Sequence, residues 1–353
     1  MREALNVPLA PLTTLRLGGP ASRLVTAESD DEVVEVVRAA DRAGEPLLVL
    51  GGGSNLVVGD AGFAGTVVRV ANRGFELDGT TLTLAAGETW AEAVDRTVVD
   101  HGLAGIEFLA GIPGSAGATP VQNVGAYGQE VAQTITRVTA YDRRQEQVVE
   151  LAAADCAFSY RHSRFKGEPD RYVVLRVSFA LEDADGLSTP VRYAETARTL
   201  GVGQGDRVDL RVARETVLKL RAGKGMVLDP EDHDTWSAGS FFTNPVLDAA
   251  GYRDFLARVH ERLGADVQPP AFPAGEDGAV KTSAAWLIDK AGFARGWGAG
   301  PARLSGKHTL ALTNRGGATT ADLLDLARTV RRGVQEAFGV TLVNEPVLVG
   351  VEL

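Results

Sequence analysis

The sequence predicts an α+β fold with two N-terminal lobes, residues 1–69 and 70–182, followed by an α/β C-terminal domain, residues 183–353. Three observations support this prediction: a βαβ pattern opens the chain, a meander of short strands follows it, and helices alternate with strands after the polar stretch 182–190. With 353 residues, the chain is long enough for two or three domains that each bury a core.

The first helix has clear signals at both ends. Residues 24–27 are a predicted strand, and Ser29 is expected to cap the helix that follows, with Glu32 completing a capping box. Apolar residues then recur at helical spacing until Gly44, which is typical of a helix end.

The loop after the second predicted strand could be mistaken for a Rossmann phosphate loop. The strand at 47–50 (LLVL) ends in GGGSN at 51–55. The G-x-G-x-x-G pattern fails because Leu56 stands at its last position and no helix follows, so we expect this loop to lie between two strands.

The meander begins with a predicted hairpin whose turn is Asp78-Gly79. Thr89 and Glu92 then predict a second capping box, ahead of a helix with Trp90 on its apolar face. Further strands are expected near 137–142, 147–151 and 172–180.

The C-terminal part alternates helix and strand. Helices are predicted near 211–221, 248–263, 283–291 and 320–338, and strands near 308–313 and 340–350.

The composition argues against several classes of protein. The net charge is −10 and no basic cluster is present, so nucleic acid is not an expected partner. The single cysteine, Cys156, rules out an intramolecular disulfide, and the five histidines lack metal-site spacing, so we expect no metal.

The sequence lacks membrane signals. No apolar run approaches the about 18 residues of a membrane span, and the N-terminus has no signal-peptide core. We expect a cytoplasmic protein that does not insert into membranes.

The stretch from Gly111 to Gly128, GIPGSAGATPVQNVGAYG, has five glycines, two prolines and no charge. Surface loops of this length usually carry charged residues, and core segments carry Leu, Ile or Val. Glycines let the backbone approach a ligand closely, and bare N–H groups can bind phosphate oxygens. An uncharged linker or a set of tight turns would also fit, but we favour a wall of backbone along a bound nucleotide.

Four segments, in this order, resemble the UDP-N-acetylenolpyruvoylglucosamine reductase family, also called UDP-N-acetylmuramate dehydrogenases. They are IPGSAGATPVQNVGAYG at 112–128, YRHSRFK at 160–166, AGSFFTNP at 238–245 and AAWLIDKAG at 284–292. Similarity extends from TLRLGGPA at 14–21 to NEPVLVG at 344–350, and Tyr193 resembles the substrate-loop tyrosine of the type I subgroup.

The resemblance implies an oxidoreductase of peptidoglycan synthesis that reduces an enolpyruvyl ether on a UDP-sugar to a lactyl ether. It implies FAD as cofactor and NADPH as hydride donor. It also implies a two-lobed FAD-binding domain of the vanillyl-alcohol-oxidase type, formed by the two N-terminal lobes, and a C-terminal substrate-binding domain. No histidine stands in the first glycine loop, which favours non-covalent FAD. We expect a monomer.

The resemblance implies three catalytic residues: Arg161, Ser240 and Glu345. Hydride addition places negative charge on the substrate carboxylate, which a guanidinium can bind through two parallel hydrogen bonds. A hydroxyl can then supply the proton. Taken singly, Arg161 would fit an ion pair and Ser240 a turn or helix cap. The family often has Glu-Pro-Glu where this chain has Val-Asn-Glu, with its proline moved to Pro346.

The resemblance also implies the binding residues. For FAD they are Gly51, Gly53, Ser54 and Asn55 on the pyrophosphate, and Ile112, Pro113, Gly114, Val124 and Gly125 along the ring and ribityl chain. Thr119 is expected to replace a flavin contact, because Ala118 stands where some members carry serine. For the substrate they are Tyr193, Arg221, Lys224 and Asn244.

Two other functions stay open at this stage. A flavin-dependent alcohol or sugar oxidase would share the FAD-binding fold without needing the three catalytic residues. A nucleotide-binding module without catalysis would need only the glycine-rich segments.

Overall fold

The computed structural model describes residues 1–274 and 278–353. In chain order its strands and α-helices are β1 Arg2–Pro8, β2 Pro20–Ala27, α1 Asp30–Ala43, β3 Leu47–Leu50, β4 Leu56–Val58, β5 Phe63–Val70, β6 Phe75–Asp78, β7 Thr81–Ala85, α2 Trp90–Val99, β8 Gly125–Ala126, β9 Gln129–Glu130, β10 Ile135–Asp142, β11 Gln147–Ala152, α3 Arg164–Gly167, β12 Tyr172–Ala180, α4 Ala194–Leu200, α5 Leu210–Gly223, β13 Val246–Leu247, α6 Ala249–Leu263, β14 Ala271–Ala274, β15 Ala279–Thr282, α7 Ala284–Lys290, β16 Ala302–Leu304, β17 Leu312–Asn314, α8 Thr320–Phe338 and β18 Val347–Val349.

These elements form two compact units. Unit 1 contains Met1–Val7, Ala21–Gly53 and Phe63–Val227, and unit 2 contains Pro8–Pro20, Ser54–Gly62 and Leu228–Leu353.

Unit 1 contains two sheets. In the first, with order β1-β2-β5-β3, β2 and β3 flank β5 and run parallel to it. The second is antiparallel, with order β11-β10-β12-β7-β6. Its core includes the fully buried side chains of Leu84, Trp90, Val138, Val177 and Phe179.

Helix α1 confirms the predicted ends. The Ser29 hydroxyl accepts a hydrogen bond from the Glu32 N–H at 3.2 Å, and Gly44 follows the helix with a φ of 65°. A capping box would also need the Glu32 carboxylate to accept from the N–H of Ser29. It accepts instead from the N–H of Glu28, one residue earlier, so the reciprocal half of the predicted capping box is absent.

The capping box predicted for α2 is wrong, although the helix begins where expected. Thr89 makes no side-chain cap. The N–H of Trp90 donates instead to the carbonyl of Gly114 at 3.0 Å, and Thr89 pairs with Ser115 as an isolated β-bridge. The first N–H group of α2 therefore has its acceptor in the glycine-rich stretch. The local spacing of Thr89 and Glu92 does not predict such a long-range contact.

Other predicted elements of unit 1 are confirmed. Strands β6 and β7 form the expected hairpin, with Gly79 at a φ of 57° in its turn. The loop after β3 leads directly into β4, as expected for a phosphate loop between strands. Strand β1 was not predicted, because it is a largely exposed strand at the edge of the first sheet and lacks an apolar pattern.

Unit 2 packs helices α6, α7 and α8 with the β16–β17 hairpin around an aromatic-rich core. Its buried members include Phe241, Phe242, Phe255, Leu287, Val330 and Phe338.

The strand predicted at 308–313 is wrong over most of its length. The chain forms a hairpin, β16 with β17, and its connection is a turn. Side chains hold this turn: Ser305 accepts from the N–H groups of Lys307 and His308, and Asp234 accepts from that of Gly306 at 2.8 Å. The prediction of a strand did not take into account that serine and aspartate side chains stabilise turns in this way.

The strand predicted at 340–350 is confirmed only over Val347–Val349, where β18 pairs with β4 in parallel. Just before it, residues 343–345 pair with a different segment, which contains Phe242. The change of partner falls at Pro346, which has no N–H to donate to a ladder.

Within the described residues, no helix combines the length and the apolar character needed to cross a membrane.

Candidate active site

The first glycine loop presents main-chain donors without protein acceptors. Among the residues that the structure describes, none accepts a hydrogen bond from the N–H groups of residues 51 to 54. Gly53 is buried and has a φ of 61°. Buried N–H groups are rarely left unpaired, so successive N–H groups in such a loop suit an anion such as a pyrophosphate.

In unit 1 this loop lies directly against the glycine-rich stretch. A Cβ on Gly52 would stand 2.6 Å from the Cα of Gly114 and 3.1 Å from the nitrogen of Ser115, so only glycine fits. The N–H groups of Gly114 and Ser115 also donate to no described residue, although Ser115 is only 6% exposed. The two segments thus offer neighbouring donors, which fits a dinucleotide cofactor.

The middle of the glycine-rich stretch is a 3₁₀ turn. Thr119 is buried there, and its hydroxyl donates to the carbonyl of Ala116 at 2.7 Å. The proton of that hydroxyl is therefore engaged, and only its lone pairs stay open to a flavin. Ile112, Pro113 and Val124 are half-buried, as is Gly125.

Arg161 is seated on the glycine-rich stretch by its guanidinium. One nitrogen, Nη2, donates to the carbonyl of Gly125 at 2.8 Å, and Nη1 lies 3.5 Å from the carbonyl of Asn123. Arg161 occupies a tight turn closed by two hydrogen bonds between Ser159 and His162, and its φ is 55°. A non-glycine residue in the left-handed region is uncommon and often marks a functional site.

Two further polar residues of the YRHSRFK motif fasten it to the same stretch. The Ser163 hydroxyl donates to the carbonyl of Val121 at 2.5 Å. The ammonium of Lys166 donates to the carbonyl of Arg161 at 3.0 Å and to the side chain of Gln122 at 3.4 Å. Sequence reasoning missed these positioning roles; the only available signal was the repeated polar residues within the motif.

A buried carboxylate, also missed, holds the other end of the stretch. Glu107 is fully buried and accepts hydrogen bonds from the N–H of Gly105 and from both the N–H and the hydroxyl of Thr189. Gln129 reaches the same carboxylate at 3.4 Å. The segment leading to Tyr193 is therefore anchored to the end of the glycine-rich stretch.

Three of the predicted substrate contacts gather in unit 1. The ring of Tyr193, 44% exposed, meets the ring of Tyr127 edge-on at a centroid distance of 5.7 Å. The ammonium of Lys224 lies 5.5 Å from the same Tyr127 ring and 2.5 Å from the carboxylate of Glu195. Arg221 is 8% exposed, and its burial lowers the pKa of the guanidinium to about 10.

Arg221 also has an unsatisfied donor. Its Nη2 donates to the carbonyl of Met226 at 2.8 Å, whereas its buried Nε donates to no described group. A buried cation with a spare donor fits recognition of an anionic ligand.

In unit 2, Ser240 and Glu345 lie on paired segments. The N–H of Glu345 donates to the carbonyl of Phe241, the residue after Ser240, at 2.8 Å. The N–H of Phe241 donates in turn to the carbonyl of Leu310. Ser240 is half-buried, as is Glu345. Phe241 and Phe242 are buried in the core of unit 2. The pairing therefore brings the backbone at Ser240 close to that at Glu345.

Two asparagines support these segments. The side-chain NH₂ of Asn55 lies 3.4 Å from the carbonyl of Glu345. The main-chain carbonyl of Asn55 accepts a hydrogen bond from the N–H of Val347 at 2.9 Å. The Asn244 side chain accepts from the N–H of Ala284 at the start of α7. Asn244 therefore also has a structural function, and its NH₂ group points to no acceptor in the described part of the chain.

Two family models and several known proteins match this chain. Residues 229–349 match the model of the C-terminal domain of UDP-N-acetylenolpyruvoylglucosamine reductase, and residues 21–152 match the model of a FAD binding domain. The chain is 73% identical over its whole length to the UDP-N-acetylenolpyruvoylglucosamine reductase of Streptomyces coelicolor, covering 92% of that protein. It is 60% identical to the enzyme of the same name from Thermobifida fusca, with 99% of each chain covered.

Among solved structures, the chain is similar to the crystal structure of UDP-N-acetylenolpyruvylglucosamine reductase from Thermus caldophilus. The TM-score is 0.66 at 25% identity, with 99% of this chain and 98% of that chain covered. The predicted fold class, a FAD-binding domain of the vanillyl-alcohol-oxidase type followed by a substrate-binding domain, is confirmed. On this full-length similarity, the chain belongs to the UDP-N-acetylenolpyruvoylglucosamine reductase family.

Proposed function

We propose that this protein reduces UDP-N-acetylenolpyruvoylglucosamine to UDP-N-acetylmuramate in peptidoglycan synthesis, with NADPH as reductant and FAD as bound cofactor. The observation that supports it most directly is the Arg161 guanidinium held on the carbonyls of an uncharged, glycine-rich wall. The full-length similarity to reductases of that name supports the substrate.

Gly51, Gly53, Ser54 and Asn55 would hold the FAD pyrophosphate, because the consecutive N–H groups of residues 51 to 54 have no acceptor in the described part of the chain. Ile112, Pro113, Gly114, Thr119, Val124 and Gly125 line the ring and ribityl chain. Bound there, FAD would supply the hydride-transfer chemistry that links NADPH to the enolpyruvyl group of the substrate.

Arg161 binds the substrate carboxylate and stabilises the negative charge that develops on it. A unit charge pair at roughly 4 Å and an effective dielectric constant near 20 is worth about 4 kcal/mol. Because Gly125 and Asn123 already hold the guanidinium, little reorganisation is needed as the charge develops.

Ser240 donates the proton that the neighbouring carbon takes up, and Glu345 assists in stabilising the intermediate. The main-chain bond between Glu345 and Phe241 keeps both residues on one rigid pair of segments in unit 2. Tyr193 and Asn244 contact the sugar nucleotide, and Arg221 with Lys224 meets its diphosphate.

The discriminating experiment separates the two half-reactions. The holoenzyme is reduced with NADPH without oxygen, and enolpyruvyl sugar nucleotide is then added. We expect stoichiometric reoxidation and formation of the lactyl ether. A parallel sample of the reduced enzyme is exposed to air, where rapid reoxidation with peroxide formation, together with no sugar-nucleotide turnover, would indicate an oxidase instead.

The purified protein should be yellow, with the absorption spectrum of an oxidised flavin. Heat denaturation should release the chromophore into the supernatant, because no histidine is present in the first loop for covalent attachment. A colourless protein that cannot be reconstituted with FAD would indicate a binding module without catalysis.

Gly52→Ala should strongly reduce FAD retention, because the new Cβ would stand 2.6 Å from the backbone of Gly114 and push the two donor segments apart. Flavin per protein after gel filtration measures this. Gly300→Ala is the control, since no described residue other than its own chain neighbours has an atom within 4 Å of the added Cβ. Full flavin content in Gly52→Ala, at wild-type stability, would contradict the proposed pyrophosphate site.

We further propose the domain division at residues 69/70 and 182/183, a monomeric enzyme and a cytoplasmic location, where NADPH and nucleotide sugars are available. Light scattering of the holoenzyme would test the oligomeric state.

A further inference from the structure

Lys224 has a close counter-ion in unit 1 that the proposed mechanism does not use. Its Nζ lies 2.5 Å from a carboxylate oxygen of Glu195, and the two side chains are 31% and 29% exposed. Burial lowers the pKa of Lys224, but the hydrogen bond to Glu195 and the nearby Tyr127 raise it overall above its ordinary value. The contact is therefore a partly shielded ion pair, not a fully solvated one.

Glu195 lies on the segment that carries Tyr193. Tyr193 is the N-cap of α4, and Glu195 is the second residue of that helix. The edge-on contact between Tyr193 and Tyr127, and the position of Lys224 over the Tyr127 ring, place all four side chains in one cluster. Movement of Lys224 toward a ligand would thus break the ion pair that helps to hold the Tyr193 segment.

The charges of the cluster determine which ligands can compete. Arg221 and Lys224 supply two positive charges, and Glu195 cancels one of them. A ligand must therefore displace a carboxylate already in hydrogen-bond contact. A diphosphate can contact both cations at once. A single phosphate group contacts one cation, and the binding free energy from that contact is smaller than the free energy needed to displace Glu195 from Lys224.

We propose that Glu195 is a specificity-determining residue: it is an internal competitor for Lys224 that lowers the affinity for all anions and selects ligands with a diphosphate. This inference rests on the proposed function, in which Arg221 and Lys224 meet the diphosphate of the sugar nucleotide. It assigns to Glu195 a contact with Lys224, not with the reacting atoms.

The test measures binding of UDP and of UMP to the FAD-containing protein by calorimetry, in the wild type and in Glu195→Gln. We expect the variant to bind UDP about two- to fivefold more tightly, as for loss of a partly exposed competing ion pair. UMP binding should gain more than UDP binding, so that the preference for UDP falls. Glu215→Gln, which removes the same charge from an exposed position on α5, should change neither affinity.

A double-mutant cycle tests whether the effect passes through Lys224. In a Lys224→Met background, Glu195→Gln should give no further gain. Weaker or unchanged UDP binding in Glu195→Gln would overturn the proposal, because it would mean that Glu195 only stabilises the fold or the Tyr193 segment. A gain that persists without Lys224 would overturn it as well. Failure of the wild type to bind UDP and turn over the sugar nucleotide would overturn the proposed function together with this inference.

Discussion

Ser240→Ala should leave reduction of the flavin by NADPH at the wild-type rate and slow reoxidation by the enolpyruvyl sugar nucleotide by about 10²- to 10⁴-fold, the usual contribution of a positioned acid. The reason is that only the second half-reaction needs a proton at carbon. The substitution removes one hydroxyl, and no described residue depends on that hydroxyl for a hydrogen bond. Stopped-flow absorbance of the flavin follows each half-reaction separately.

Thr243→Val is the matched control for Ser240→Ala. Thr243 lies three residues further along the same segment, and within the described part of the chain its hydroxyl donates only to the carbonyl of Val343, at 3.4 Å. We expect both half-reactions of this variant to stay within a few-fold of the wild type. If Ser240→Ala slowed both half-reactions equally, Ser240 would not be the proton donor.

Arg161→Lys should lower kcat of the sugar-nucleotide reaction by about 10²-fold, which corresponds to about 2.7 kcal/mol of transition-state stabilisation. A lysine keeps the charge but cannot hold the carbonyl of Gly125 and offer two parallel donors to a carboxylate at the same time. Steady-state turnover, together with the rate of flavin reoxidation, measures the effect.

The same exchange three residues later provides the comparison. Arg164→Lys changes a half-buried residue of the same motif whose side chain makes no hydrogen bond to a described residue. Its activity should stay near that of the wild type. Wild-type kcat in Arg161→Lys would contradict the assignment of the guanidinium to the carboxylate.

Local chemistry in the sequence predicted much of the fold. Ser29 and Gly44 mark the ends of α1, because capping and left-handed residues act within one turn of the chain. The Asp78-Gly79 turn predicted a hairpin for the same reason. The uncharged stretch 111–128 also indicated a bound nucleotide, and the resemblance carried by YRHSRFK implied the candidate guanidinium.

Partners distant in sequence were beyond such reasoning. At Pro346 the last segment changes from pairing with residues 241–243 to pairing with β4. No residue near Pro346 in the sequence predicts either of these pairing partners. The start of α2 likewise takes its acceptor from Gly114 instead of from Glu92.

The residues alone indicated the family, the two ends of α1 and the types of side chain available for catalysis. Three features required the folded chain: the carbonyls that hold Arg161, the backbone pairing near Ser240 and Glu345, and the ion pair of Glu195 with Lys224. The physical reason is the range of the interactions: caps and turns act between near neighbours, whereas these contacts join residues that come together only when the chain has packed its core.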